Sequence, residues 1–214
     1  MPQTPNICAG PFGAVYDLYV ERPWLMQIVG RLTWGIDARC LYESIQEVSR
    51  LSPGQRVIDV PCGGGVAFRQ LRAGQRVEYL AGDLSVRMRA RALRRARALG
   101  LDQIEVVEAD MTALPFADAS ADLFLSYSGL HMIHEPDLAL REIRRCIKPG
   151  GRVIGTTFLR GERRRADMLF ELGSRRGHAQ PPTREALRTG LEQAGLGDVT
   201  IGPERGFTAF SARR

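Results

Sequence analysis

From about residue 51 the chain alternates short apolar runs with stretches of helical periodicity, and this alternation restricts its fold more than any other feature. The runs at 57–60, 77–81, 104–107, 122–127 and 152–158 are rich in Val, Ile, Leu and aromatic residues. Continuous apolar runs of this length suit strands covered on both faces, which requires helices above and below one sheet. Strands separated by helices pair in parallel through crossover connections. Two last runs, 198–201 and 207–211, flank Gly202-Pro203 too closely for a crossover and are expected as an antiparallel hairpin.

The intervening helices carry readable start and stop signals. One opens at Ser85, a good N-cap, and stops at Gly100. Its apolar positions Val86, Ala90, Leu93, Ala96 and Leu99 are expected to form one stripe. Arg87, Arg89, Arg91, Arg94, Arg95 and Arg97 then cover the other faces, as a solvated surface or, alternatively, a polyanion-binding patch. A second helix follows Pro136, spaces Leu140, Ile143 and Ile147, and ends at Lys148-Pro149-Gly150-Gly151. A third begins near Thr183 and buries Leu187, Leu191 and Ala194 before Gly195. Residues 1–50 read as an amphipathic helical segment crowded with Trp24, Leu25, Met26, Ile28, Val29, Leu32, Trp34 and Ile36. The expected organisation is an N-terminal helical lid over 1–50 and a ligand-binding domain over 51–214.

At 214 residues, a single domain buries roughly 70% of its unfolded surface and needs no disulfide or metal staple. Cys8, Cys40, Cys62 and Cys146 are scattered, with no histidines at ligand spacing, so free thiols and no metal are expected. No basic-then-apolar leader opens the chain, and no apolar run approaches the roughly 18 residues of a membrane span. A cytoplasmic location is expected. Net charge is +6, almost all of it arginine, since Lys148 is the sole lysine. Such a charge alone does not make a nucleic-acid protein.

The central motif is Val57-Ile58-Asp59-Val60-Pro61-Cys62-Gly63-Gly64-Gly65-Val66-Ala67-Phe68: a strand, a glycine-rich turn and a helical start. Glycines let backbone approach a ligand closely, and amides at a helix start favour a negatively charged group. A dinucleotide fingerprint would place a small residue at 68, where Phe68 stands, and a P-loop would need Gly-Lys-Ser/Thr. Neither is present. An acid closing the strand, Asp59, is.

With that acid the motif resembles the first motif of the class I S-adenosylmethionine (SAM)-dependent methyltransferases, Asp/Glu-x-Gly-x-Gly-x-Gly. Pro61 replaces the first glycine, while Gly63 and Gly65 keep the other two. The resemblance continues through Gly82-Asp83-Leu84-Ser85, Ala109-Asp110-Met111 with Leu114-Pro115-Phe116, Ser126-Tyr127-Ser128, and the segment from Leu140 to Arg152. It covers about residues 50–160. It implies a Rossmann-like, doubly wound α/β fold with a seven-stranded sheet, mostly parallel with one antiparallel edge strand, plus the helical lid. It also implies SAM as cofactor and S-adenosylhomocysteine as product. Asp59, Pro61, Gly63 and Gly65 would form the cofactor turn, and Asp83, beside Leu84, would receive the ribose hydroxyls. The Asp110 side chain and Met111 amide would meet adenine, and Ser126 the methionine end. Each acid also has a plainer reading as a turn cap or a solvated strand end.

The segments Ala14-Val15-Tyr16-Asp17 and Leu32-Thr33-Trp34-Gly35-Ile36-Asp37 look like the N-terminal part of the ubiquinone/menaquinone C-methyltransferase type, which suggests Tyr16 as a cofactor contact. His131, just beyond the fourth strand, is the candidate general base, against a structural role in packing. Glu135 is a poorer candidate. No Asn/Asp-Pro-Pro-aromatic motif follows that strand, which disfavours nucleic-acid amino groups. The apolar N-terminal segment points to a small lipophilic or aromatic acceptor, methylated at oxygen or carbon. A SAM-binding sensor or accessory protein without methyl transfer is the alternative. Oligomeric state is left open.

Overall fold

A computed structural model of the chain describes residues 22–214. Its centre is one seven-stranded sheet: β1 (Arg56–Asp59), β2 (Glu78–Gly82), β3 (Ile104–Val107), β4 (Ala121–Tyr127), β5 (Ile147–Phe158), β6 (Gly197–Ile201) and β7 (Phe207–Arg213), in the order β3-β2-β1-β4-β5-β7-β6. Strands β1 to β5 pair in parallel. β7 runs antiparallel to both β5 and β6, so the reversed strand lies one place inside the edge. The doubly wound Rossmann-like fold is thus present, with all seven expected strands.

Two buried layers explain the runs. Val57, Leu123 and Leu125 point to one face, with Tyr79, Phe68 and Val48. Ile58, Val60 and Phe124 point to the other, with Leu140, Ile143, Leu187 and Leu191. Alternate side chains of a strand face opposite sides, so an apolar residue at every position means helices on both. The second face is closed by α4 (Pro136–Cys146) and α6 (Arg184–Gln193), the latter capped by the Thr183 hydroxyl on the Ala186 amide at 3.1 Å. The turn expected at 148–151 lies within β5: Ala121 pairs with Ile147 and Leu123 with Arg152, so the extra residues form a bulge.

The first face holds α1 (Pro23–Val29), a π-helical turn (Gly30–Trp34), α2 (Arg39–Ile45), a 3-10 turn (Gln46–Arg50) and α3 (Val86–Ala98). Ile36, Leu41, Ile45 and Val48 join the same buried cluster as β1 and β4, so the chain from Ile36 onward is core. α3 starts at Ser85, as expected, but its buried stripe is Met88, Ala92 and Ala96. Val86, Leu93 and Leu99 are exposed instead. Small alanines at i and i+4 let the helix lie close to the sheet, and this close contact outweighs the larger apolar residues. Cys40, Cys62 and Cys146 are free and buried. Among the described residues no helix is long and apolar enough to cross a membrane.

Candidate functional site

Sheet order reverses between β1 and β4, and their carboxyl ends define the crevice where doubly wound folds hold ligands. The glycine turn enters it directly after Asp59. Gly63 and Gly65 have φ of +53° and +76°, the left-handed region that favours glycine. A Cβ on Gly65 would lie 2.4 Å from the Phe68 ring, which packs edge-on against Tyr79 beneath the turn. A Cβ on Gly63 would meet nothing within 4 Å, so its backbone faces open space. The segment after the turn is one 3-10 stretch, Val66–Gln70, in place of a longer helix. Pro61 fits because Gly129 opposes it: a Cβ there would lie 2.4 Å from Pro61 Cδ and 3.1 Å from Met111 Sδ.

The acids divide by depth. Asp59 is buried; Oδ2 accepts the Tyr79 hydroxyl at 2.8 Å, while Oδ1 has no partner. Burial pushes its carboxyl up to about 7. Asp83 ties the turn to β2, with Oδ2 accepting the Gly63 amide at 3.0 Å and Oδ1 the Ser85 amide at 2.8 Å. Burial raises its pKa as well, opposed by those two amides. Each oxygen keeps a lone pair for a further donor. Arg89, placed on the solvated face by sequence reasoning, instead donates to the Asp83 and Leu84 carbonyls at 2.9 Å and pairs with Glu108. Leu84 itself is exposed. Asp110 is also exposed, and its Oδ1 accepts the Thr112 amide and hydroxyl. The loop beyond it is held by Arg145, which donates to the Leu114 and Phe116 carbonyls, and by Glu142, which accepts the Leu114 amide.

A cavity of about 320 Å³ opens beside the turn. Asp59, Pro61, Gly63 and Gly64 line it with Tyr127 and Ser128 from the end of β4, Leu41 from α2, and Arg91, Arg94 and Arg95 from α3. These three arginines therefore border the site and are not a purely solvated face. Asp83 reaches the lining through its bond to Gly63, whereas Asp110, Met111, Ser126 and His131 do not line it. Ser126 is buried and its hydroxyl has no partner. Tyr16 lies outside the described residues.

A second cluster stands at the ends of β4 and β5. Trp34, Phe158 and Phe170 pack mutually at ring distances of 5.1–5.2 Å, and His131 meets Phe158 edge-on at 4.9 Å. Burial among these rings lowers the His131 pKa to about 3. Its Nδ1 faces the Phe158 amide at 3.5 Å, which assigns the proton to Nε2. Neither feature favours the general-base role. His134 contacts the Gly177 carbonyl through Nε2. Among the described residues no group of three or more His, Cys, Asp or Glu side chains suits a metal ion.

Fold and turn together define a doubly wound cofactor-binding domain with its ligand crevice at the β1–β4 reversal. Comparison narrows the class. A family described as a methyltransferase domain matches residues 58–155. The malonyl-[acyl-carrier protein] O-methyltransferase of Erwinia pyrifoliae is 32% identical over 196 residues, covering 91% of this chain and 67% of that protein. The demethylmenaquinone methyltransferase of Renibacterium salmoninarum is 38% identical over 106 residues, and that match spans 50% of this chain but only 42% of the relative. Among solved structures, Haemonchus contortus phosphoethanolamine N-methyltransferase 2 with bound S-adenosyl-L-methionine gives a TM-score of 0.70 at 18% identity, covering 83% of this chain and 53% of that one, a likeness of fold. The chain belongs to the class I SAM-dependent methyltransferases, and SAM is its cofactor. The residues fit that cofactor: Gly63 leaves the turn open to close approach, and Asp59, which lines the cavity, has a buried Oδ1 with no partner.

Proposed function

We propose that the acceptor is a small lipophilic or aromatic molecule, methylated at oxygen or carbon. The observation that carries this reading is the half-buried aromatic group of Trp34, Phe158 and Phe170 around His131, at the ends of β4 and β5. Such a wall binds an apolar ring by area and by edge-to-face contact. The O-methyltransferase and quinone-methyltransferase names of the relatives fit both attack modes.

Bound SAM would supply an electrophilic methyl carbon on its sulfonium. The chain's own residues have three tasks. The first is to hold the cofactor: the Gly63–Gly65 turn beside Pro61 against its amino-acid end, with Ser126 beneath, and Asp83 with Leu84 at the ribose. Asp110 and the Met111 amide would meet the adenine, and Tyr16 would close the site from the N-terminal segment. The second task is to exclude water, which we assign to the helical segment up to Trp34, acting as a lid on the core that begins at Ile36. The third is to align the acceptor's nucleophile for in-line attack, where proximity contributes much of the rate. His131, neutral and donating through Nε2, suits orienting an acceptor oxygen better than removing its proton.

The test is methyl transfer from labelled SAM to a panel of phenols, quinols, carboxylates and amines. Label in phenols or quinols supports the reading; label confined to amines or carboxylates overturns the acceptor class.

A further inference from the structure

The outer faces of the two elements that carry Trp34 and Phe170 are apolar and arginine-rimmed. Trp24, Ile28 and Leu32, at i, i+4 and i+8 on α1 and its π-turn extension, are 60, 47 and 70% exposed. Met168 and Leu172, at i and i+4 on α5 (Arg164–Ser174), are 67 and 48% exposed. Arg165 Nη1 donates to the Leu32 carbonyl at 3.3 Å, and Trp34 meets Phe170 beneath, so the two stripes form one surface. Single exposed apolar residues are ordinary, but a contiguous set on two adjoining helices marks an interaction site.

Charge indicates what the surface meets. Arg22, Arg31, Arg164 and Arg175 are exposed around the stripes. Of the acids nearby, Asp37 pairs with Arg39 and Arg31 and Glu171 with Arg175, while Asp167 accepts the Gly161 amide; the exposed Arg22, Arg31, Arg164, Arg165, Arg175 and Arg176 outnumber these acids. A tryptophan and aliphatic side chains, edged by arginine, match the interfacial zone of an anionic bilayer. We propose that α1 and α5 dock the enzyme on a membrane surface bearing anionic headgroups. The inner sides of the same helices form the aromatic wall, so docking would place the acceptor site next to the lipid. That use rests on the lipophilic-acceptor reading; the docking itself does not.

Sedimentation of the full chain with phosphatidylcholine vesicles, with and without phosphatidylglycerol, tests the proposal in the absence of SAM and any acceptor. A wrong acceptor class therefore leaves the result standing. We expect binding to the anionic vesicles, weaker at high salt, and lowered about tenfold or more in Trp24→Glu/Met168→Glu. Arg164→Glu/Arg175→Glu should reduce it further at low salt than at high salt. Unchanged SAM binding shows that both variants are folded. Absence of vesicle binding, or binding indifferent to these variants, overturns the proposal. So does binding that appears only when residues 1–21 are removed, or adsorption to polyglutamate without vesicles. A lipid-free dimer that Trp24→Glu/Met168→Glu dissociates would reassign the face to a second copy.

Discussion

The two sides of the crevice are built differently. On the β1–β3 side, backbone does most of the construction: two left-handed glycines, a proline seated on Gly129, and the Asp83 carboxylate holding the Gly63 and Ser85 amides. On the β4–β5 side the construction is side chain against side chain, with rings from Trp34, His131, Phe158 and Phe170 and few polar anchors. A backbone-built site can bind one cofactor in one pose while side chains around it change. A wall of rings can be re-cut by single substitutions. In the proposed function, the first side binds the cofactor and the second chooses the acceptor.

The largest effect should fall on the support of the glycine turn. Phe68 is fully buried under Gly65, and Phe68→Ala should cost about 3–5 kcal/mol of stability. Chemical denaturation would measure it, and SAM binding should weaken along with the fold. A loss below about 1 kcal/mol would mean that the turn stands without its ring. Asp83→Ala comes next. It removes an acceptor for two loop amides and for any bound hydroxyl, so SAM affinity should fall about a hundredfold or more. Calorimetric titration should show acceptor specificity unaltered at saturating SAM. If Asp83→Ala instead changed which acceptors react, the division between the two sides would break.

The two sides also titrate in opposite directions. Burial raises Asp59 from its ordinary 3.8 to about 7, so between those values the native state holds a proton that the unfolded chain has lost. Its contribution is fully present below about pH 4 and declines as pH rises through 7. His131 is lowered from 6.5 to about 3, so the unfolded chain is the one holding the extra proton. Its contribution is intact above about 6.5 and declines as pH falls towards 3. Relative to wild type, Asp59→Asn should therefore gain stability on going from pH 5 to pH 8, by on the order of 2 kcal/mol. His131→Gln should gain on going from pH 7 to pH 5.5, by about 1.4 kcal/mol for one unit below 6.5. Urea midpoints across pH measure both, and equal signs would refute the assignment.

Legibility follows the same divide. The position of the glycine turn and of the acids after each strand could be read because they lie within a few residues of strand ends: Asp59 before its turn, Asp83 after β2, Asp110 after β3; Asp110 nevertheless stands outside the cavity lining. Local spacing carries such information. What escaped is tertiary. Ala96 was expected in the buried stripe, but Met88 and Ala92 join it in place of Val86, Leu93 and Leu99, because the face turned to the sheet is set by tertiary packing. Arg89 looked like one more solvated arginine until the carbonyls of 83 and 84 came within 2.9 Å. The spacing of Arg91, Arg94 and Arg95 was a signal that they share a face, though not that the face borders the cavity. The aromatic wall draws on positions 34, 131, 158 and 170, brought together only by the sheet, and no local pattern announces it.

The finest test of the comparison is Phe170→Ala. Phe170 is half-buried and touches Trp34 at 5.2 Å, Phe158 at 5.1 Å and His131 at 6.0 Å, all on the acceptor side. Aromatic pairs contribute about 0.5–1.5 kcal/mol beyond area, so losing one ring face to an acceptor should raise its KM roughly fivefold. The Kd for SAM should stay as it is, because the ring contacts of Phe170 are with Trp34, Phe158 and His131, which do not line the cavity beside the Gly63–Gly65 turn. Phe170→Leu, which keeps most of the apolar area, should recover much of the loss for aliphatic acceptors and less for aromatic ones. Equal changes in acceptor KM and SAM Kd would show that the wall and the turn act as one unit, and a selective change in KM would separate them.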